Sequence, residues 1–145
     1  KIKTSSIDTG WGVLTSNYKI RIPINNLLAL LHTNKGYSYK NIENTPHFNL
    51  ILNYHKNHQI TPNEYLSYIK TYEKNLDANK KLEEFINLFN EIKENQNQLT
   101  VATKKEAASF KNNKFKILDG LHRASIAKVL SINEIDCFIV DEINK

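Results

Sequence analysis

The first clear pattern in the chain is an alternation of apolar and polar residues. The apolar members occupy every second position: Tyr18, Ile20, Ile22 and Ile24. This period predicts a half-buried strand that ends near Pro23. Asn25 or Asn26 can then cap a short helix that continues through Leu31. Residues 32–46 are polar and predict a long connection, a kind of segment that often carries function in small domains.

The middle of the chain has the three- and four-residue spacing of amphipathic helices. Thr45, followed by Pro46, is a candidate N-cap, as are Thr61 and Asp77. Two stripes follow at helical spacing: Tyr65, Tyr68 and Tyr72, then Leu82, Phe85, Ile86, Phe89 and Ile92. We interpret the tyrosines as core residues rather than a stacking platform for a ligand. These segments predict an inserted helical block over residues of about 47–95.

Strand patterns return in the last third of the chain. The segments QLTVAT, KFKILD and EIDCFIVDEI read as strands, and GLHRASIAKVLSI, between the last two, reads as a helix. A strand, a helix and a strand in so short a span predict a right-handed crossover, the connection that joins parallel strands. The whole pattern predicts a single α/β (α+β) domain over residues 1–145, with a small mixed sheet.

Composition narrows the classes of ligand and location. The net charge of +5 favours phosphate-bearing ligands, whereas the absence of a dense Lys/Arg run argues against nucleic acid as a partner. No apolar run approaches the roughly 20 residues that cross a bilayer. The single cysteine, Cys137, excludes an internal disulfide and favours a reducing, cytoplasmic location. The sequence lacks methionine, so we expect that Lys1 is not a native start and that the chain is either trimmed or cut from a larger polypeptide.

The segment from Asp119 to Arg123 is the one most suited to chemistry, because it joins a strand to the first turn of a helix. Such a turn offers free N–H groups to an anion, and Gly120 lets the backbone approach a phosphate. Arg123 adds a planar, positively charged guanidinium, and His122 can also bind the phosphate or carry a proton. Asp119 can hold magnesium, orient a hydroxyl or cap the helix. The plain alternative is a capped helix with a surface His and Arg.

Three residues outside this turn are further candidates. Glu43 and His47 lie next to the polar connection and could deprotonate a substrate hydroxyl, or could simply belong to a loop and a helix start. Arg21, on the first predicted strand, can face either solvent or a nucleotide.

Residues 115–140, FKILDGLHRASIAKVLSINEIDCFIV, resemble the signature segment of the ParB/sulfiredoxin superfamily. Its members share a strand, a Gly-x-His-Arg or Gly-x-Arg-Arg turn, a helix and a closing strand, and the turn binds nucleotide phosphates. A second segment, TPHFNLILN with the tyrosine-rich helix after it, is similar to small ParB-like domains found with surface-polysaccharide biosynthesis enzymes.

The turn differs among the members of that superfamily. Sulfiredoxins carry Cys where this chain has Leu121, so reductase chemistry would lack its nucleophile. ParB partition proteins carry Gly-Glu-Arg-Arg and a following DNA-binding domain. Free-serine kinases carry Asp-Gly-His-His-Arg, which differs from this chain only at Leu121. Those kinases use a Glu after the first strand as base, and Glu43 is the nearest acid after that strand here.

The resemblance implies a ParB/sulfiredoxin-like fold that binds a nucleotide through Gly120, Leu121, His122 and Arg123. It further implies a kinase that transfers a phosphoryl group from ATP, or from CTP or ADP, to a hydroxyl of an amino acid or a sugar, with Mg²⁺ as cofactor. The catalytic residues would be Glu43 as base, Asp119, which would also hold the metal or orient the acceptor, and His122; His47 and Arg21 would contact substrate. The alternative hypothesis is an ATP- or CTP-binding regulatory or accessory module of a larger protein, without phosphotransfer.

Overall fold

One mixed β-sheet and four α-helices make up the part of the chain that the computed structural model describes, residues 5–9, 12–96, 99–105 and 114–140. The strands are β1 (Ser5–Thr9), β2 (Gly12–Pro23), β3 (Leu27–Thr33), β4 (Gly36–Lys40), β5 (Thr100–Lys105), β6 (Phe115–Asp119) and β7 (Glu134–Val140). The helices are α1 (Pro46–Asn57), α2 (Asn63–Tyr72), α3 (Ala78–Glu94) and α4 (Leu121–Val129).

The sheet has the strand order β1-β2-β7-β5-β6-β3-β4. Two neighbouring pairs are parallel, β5 with β7 and β3 with β6, and the other four are antiparallel. This arrangement confirms the predicted α/β class with a mixed sheet. None of the helices in the described residues is long and apolar enough to cross a membrane.

β6 and β7 do not form the predicted crossover of parallel strands. β5 lies between them, antiparallel to β6 and parallel to β7, so β6 and β7 run in opposite directions. The crossover prediction was wrong because it considered only the local order strand–helix–strand. A strand from earlier in the chain inserts between the two, and local pattern does not reveal that pairing.

The segment predicted as a helix through Leu31 is strand β3. Leu27, Leu28, Ala29 and Leu31 are all buried. Successive buried residues place apolar side chains on both faces of a strand, which is the pattern of a strand inside a sheet. Continuous apolar runs of this length do not distinguish a buried strand from a helix, and this ambiguity explains the error. The polar connection predicted after β3 contains β4, which forms a hairpin with it.

The helical block lies between β4 and β5 in the chain, and two of its predicted caps are confirmed. The Thr45 hydroxyl accepts a hydrogen bond from the backbone N–H of Phe48 at 3.1 Å, with Pro46 in the first turn of α1. The Asp77 carboxylate accepts from two backbone N–H groups in the first turn of α3. These bonds pair helix N–H groups that would otherwise lack partners.

The predicted cap at Thr61 is not formed. Helix α2 begins at Asn63 without a side-chain cap, and the Thr61 hydroxyl instead accepts a hydrogen bond from Asn53 Nδ2 at 2.8 Å. That side chain is therefore used to tie the α1–α2 connection to α1.

The core lies between the sheet and the helical block. Phe85 and Phe89 of α3 and Ile69 of α2 belong to it. α4 packs against both α1 and α3, and four of its successive residues, 124–127, are buried. Cys137 on β7 is fully buried, and burial raises the pKa of its thiol to about 12, which is the environment of an unreactive core residue. This packing holds the start of α4 in a fixed position at the end of β6.

Candidate functional site

Gly120 makes the sharp junction between β6 and α4. It is the N-cap of α4 with φ 110° and ψ 18°, and its carbonyl accepts the first helical hydrogen bond, from Ala124 N, at 2.9 Å. A Cβ at this position would lie 2.5 Å from Cγ1 and 2.8 Å from Cβ of Val101 on β5. Glycine is thus required here both by the backbone conformation and by close packing on the neighbouring strand.

Asp119, the last residue of β6, is half-buried beside this junction. α4 has no side-chain cap hydrogen bond, and its N-cap is Gly120. The N-cap position itself is therefore occupied by Gly120 and not by Asp119. Binding a metal or orienting a ligand hydroxyl, the other roles considered for Asp119, agree with its position in the wall of two cavities.

His122 points into a cluster of rings under the first turn of α4. Its Nε2 shares a hydrogen bond of 2.8 Å with the Tyr65 hydroxyl. Its ring makes edge-on contacts with Phe85 and His47, at centroid distances of 4.5 Å and 4.8 Å. Burial, with the charges of His47, Lys81 and Arg123, lowers the pKa of His122 well below its usual value. At neutral pH His122 is uncharged, so it contributes no positive charge to a phosphate site.

His47 lies deeper in the same cluster, on the first turn of α1. It is 2 % exposed, and burial together with the Lys81 charge lowers its pKa to about 3. None of the described residues offers its Nδ1 a hydrogen-bond partner. His47 is also in edge-on contact with Tyr65 and Tyr68. The structure thus brings two predicted residues, His47 and His122, together as a neutral pair.

A cavity of about 480 Å³ opens above this pair. We call it the aromatic cavity. Its walls are the side chains of His32, Tyr37, Tyr68 and Tyr72, the α2–α3 connection at residues 73–76, and the end of β6 with the turn at residues 117–122; Leu30 and His47 complete it. The His32 ring stacks on Tyr72 at a centroid distance of 5.9 Å, and the backbone N–H of His32 donates to the Tyr68 hydroxyl at 2.9 Å. The tyrosine stripe of α2 is thus part core and part cavity wall.

A second cavity, of about 250 Å³, lies on the other side of the turn. We call it the cationic cavity, because Lys81 and Arg123 both line it. Phe85 and Leu88 form its apolar side, and Glu84 also lines it. The two cavities share three residues of their walls: Asp119, Gly120 and His122.

Glu73 is a residue of the aromatic cavity that sequence interpretation missed. Glu73 is the C-cap of α2, and its backbone N–H donates a hydrogen bond to the Ile69 carbonyl. Its side chain is half-buried. Burial raises the pKa of its carboxyl, and the charges of Lys81 and His32 oppose that rise. One signal was available in the sequence: an acidic residue at the C-terminal end of a helix is electrostatically unfavourable, so its presence there invites a functional explanation.

Lys81 is the second missed residue. It lies on α3 in the wall of the cationic cavity and is close enough to lower the pKa of Glu73, His47 and His122. No pattern singled it out, because lysines are abundant on the polar face of this helix.

Glu43 is not brought to the turn. Its Oε2 lies 3.6 Å from Nζ of Lys128, near the C-terminal end of α4. At 1.5 Å per residue, Lys128 is about 12 Å along the helix from Gly120. Glu43 lines a separate cavity with Asn25 and Lys128. Its expected role as base therefore has no geometric support.

Arg21 is also distant from the turn. It is exposed on β2, where its Nη2 lies 3.4 Å from Oδ1 of Asp136 on β7. Two strands, β7 and β5, separate β2 from β6, the strand that carries the turn. Of its two open alternatives, solvent and nucleotide, Arg21 faces solvent.

Comparison of the chain with protein-family models, with curated proteins and with solved structures found no significant match.

Proposed function

We propose that this chain is a phosphotransferase that moves a phosphoryl group from a nucleotide to a hydroxyl of a small metabolite. The observation that carries the proposal is the meeting of two unlike cavities at Asp119, Gly120 and His122. A transfer reaction requires two ligands held side by side with their reacting atoms close together. A simple nucleotide switch requires one ligand site, so the paired cavities favour transfer.

The cationic cavity suits the phosphates of the donor. Lys81 and Arg123 supply its positive charge, and the first turn of α4 adds backbone N–H groups that lack helical partners. Because His122 is neutral, Lys81 and Arg123 supply the charge that attracts the donor among the described residues of this wall. The planar guanidinium of Arg123 is suited to contact two phosphate oxygens at once.

The carboxylates of the cationic cavity fit a magnesium ion. Mg²⁺ in nucleotide sites is held by one or two carboxylates, with phosphate oxygens and water completing its shell. Asp119 and Glu84 both line this cavity, and their carboxylates are the metal ligands that such a site needs. The described residues contain no group of three or more His, Cys, Asp or Glu side chains that could hold a metal without a ligand. A bound Mg²⁺ would neutralise charge on the phosphate oxygens.

The aromatic cavity suits the acceptor. Its tyrosine and histidine rings offer apolar faces for a sugar ring or a side chain, and its polar groups can orient hydroxyls. A sugar acceptor agrees with the resemblance of TPHFNLILN to ParB-like domains of surface-polysaccharide clusters. The resemblance of residues 115–140 to the ParB/sulfiredoxin superfamily supports the donor side in the same way, since the turn binds nucleotide phosphates there.

The proposal is tested by measuring turnover and nucleotide binding in parallel. ATP, CTP and ADP are each incubated with Mg²⁺ and a panel of amino acids and sugars, and products are identified by phosphorus NMR. Calorimetry measures the affinity for each nucleotide in parallel. Nucleotide consumption that depends on an acceptor supports the phosphotransferase. Binding without transfer to any acceptor rejects it in favour of the regulatory or accessory module.

A further inference from the structure

The proposed reaction needs a group that takes the proton of the acceptor hydroxyl, and this inference rests on that proposed function. The histidines beside the turn are poor candidates. His47 and His122 both lie in the ring cluster, and burial lowers the pKa of each. Burial disfavours the protonated form of both rings, His47 is 2 % exposed, and Nε2 of His122 already shares a hydrogen bond with the Tyr65 hydroxyl, so both are weak and poorly placed bases.

Two carboxylates remain in the wall of the aromatic cavity, as far as the chain is described: Asp119 and Glu73. Asp119 lines the cationic cavity as well, and is therefore next to the donor phosphates and to any ion they bring. Glu73, on the α2–α3 connection, lines the aromatic cavity and does not line the cationic cavity. The two acids are thus divided between the two ligands by their positions.

We propose that Glu73 is the general base that activates the acceptor alcohol in the aromatic cavity. As the alcohol oxygen forms its bond to the terminal phosphorus of the nucleotide, the hydroxyl proton passes to the Glu73 carboxylate. The bond from that phosphorus to the bridging oxygen breaks, and its electron pair leaves with the shortened nucleotide. No oxidant, reductant or further reactant is needed.

The surroundings of Glu73 suit this role. Half-burial makes the carboxylate a stronger base, since burial raises its pKa, while the charges of Lys81 and His32 favour its ionised form. Burial raises the pKa of Tyr68, which lines the same cavity, and the negative charge of Glu73 adds to that rise. Tyr68 therefore stays protonated at neutral pH. A carboxylate with these neighbours can accept a proton and remain charged between turnovers.

The experiment compares four variants with the wild-type chain. Glu73→Gln keeps the shape and removes the base, and Glu73→Asp keeps the base on a shorter stem. Glu83→Gln is the matched control, an exposed acid on α3 that lines neither cavity. Glu43→Gln tests the base that the sequence had suggested. Each variant is assayed for kcat, KM of the acceptor and nucleotide affinity, after its folding has been checked by circular dichroism.

We expect Glu73→Gln to lower kcat by about 10²- to 10⁴-fold, and to leave nucleotide affinity within about twofold of wild type. Glu73→Asp should recover part of the rate, and Glu83→Gln should match wild type. The acid limb of the wild-type kcat profile should lie at a higher pH than an ordinary glutamate would give, because the base works only when ionised.

Two different failures are distinguishable. If the wild-type chain transfers phosphate and Glu73→Gln keeps its full kcat, Glu73 is not the base and the proposed function stands. A loss of rate with Glu43→Gln instead would restore Glu43 to that role. If the wild-type chain binds nucleotide but transfers nothing, the phosphotransferase proposal and the role of Glu73 fall together.

Discussion

The Tyr65 hydroxyl and Nε2 of His122 share a hydrogen bond of 2.8 Å that joins α2 to the first turn of α4. Tyr65 is 1 % exposed, and its ring is also packed against Phe85 and His47. The bond holds the His122 ring towards the core and leaves Arg123 as the exposed side chain of the turn. A tyrosine of the helical block thereby sets the orientation of His122, one of the three residues that the two cavities share.

Tyr65→Phe should destabilise the fold by about 1–3 kcal/mol, because the ring stays in the core while Nε2 of His122 loses its partner. Urea denaturation gives the free energy of unfolding. Tyr54→Phe is the control, since the Tyr54 hydroxyl makes solvent-exposed contacts of 3.3 and 3.4 Å with the Asn90 amide, and their loss should cost less than about 0.5 kcal/mol. Equal costs for the two variants would contradict a structural role for the Tyr65–His122 bond.

Gly120→Ala should be more destabilising than Gly36→Ala. Both glycines have positive φ, 110° and 122°, so both variants incur strain of about 1–2 kcal/mol. Only at Gly120 does the new Cβ also collide with Val101, whereas nothing lies within 4 Å at Gly36. Overpacking adds about 1–3 kcal/mol. Thermal and urea unfolding of the two variants measure the difference, and equal losses would show that Val101 can move aside.

Arg123→Ala should weaken nucleotide binding by about 1.5–3 kcal/mol, the range for hydrogen bonds to charged groups. The sequence has two arginines, and Arg21 on β2 is therefore the matched control. Arg21→Ala removes a surface ion pair with Asp136 and should leave the affinity unchanged. Titration calorimetry with ATP and CTP decides the matter. Unchanged affinity in Arg123→Ala would remove the guanidinium from the proposed phosphate site.

Acid should destabilise the fold through His47. Its folded pKa of about 3 lies below the ordinary value of 6.5, so its contribution to stability is complete above pH 6.5 and is lost as pH falls towards 3. Each pH unit in that window costs up to about 1.4 kcal/mol for such a group. His47→Phe keeps a ring and removes the titration, so its unfolding free energy should fall less steeply between pH 6.5 and 4. His122 titrates in the same direction and remains in both proteins. Parallel stability curves would contradict the neutral state of His47.

Local signals in the sequence predicted the helical block well. The caps at Thr45 and Asp77 and the stripe of α3 all lie within single helices, so the periodicity of neighbouring residues is enough to find them. The run that ends at Leu31 was misread because burial on both faces removes the alternation that marks a strand. The place of β5 between β6 and β7 was not predictable, since strand pairing depends on residues far apart in the chain.

The sequence predicted only part of the candidate site, again because local patterns do not show which distant residues come together. The turn at residues 119–123 is a contiguous motif, and the structure places it between two cavities. Its partners Tyr65, Glu73 and Lys81 come from the helical block, and only tertiary packing brings them to the turn. Glu43 is much nearer than Glu73 to the first strand in sequence, but packs at the opposite end of α4.

The strand order has a consequence for how the chain assembles during synthesis. β1 to β4 take the outer positions of the sheet, and β5, β6 and β7 fill the three central ones. Until the last third of the chain leaves the ribosome, no strand joins the pair β1–β2 to the pair β3–β4. The apolar residues of β3 and α3 then also lack the later residues that bury them. The parallel pairing of Leu27 with Phe115 closes a loop that contains the whole helical block. Such long-range contacts form slowly, so we expect nascent chains that end before β5 to be aggregation-prone and to depend on chaperones.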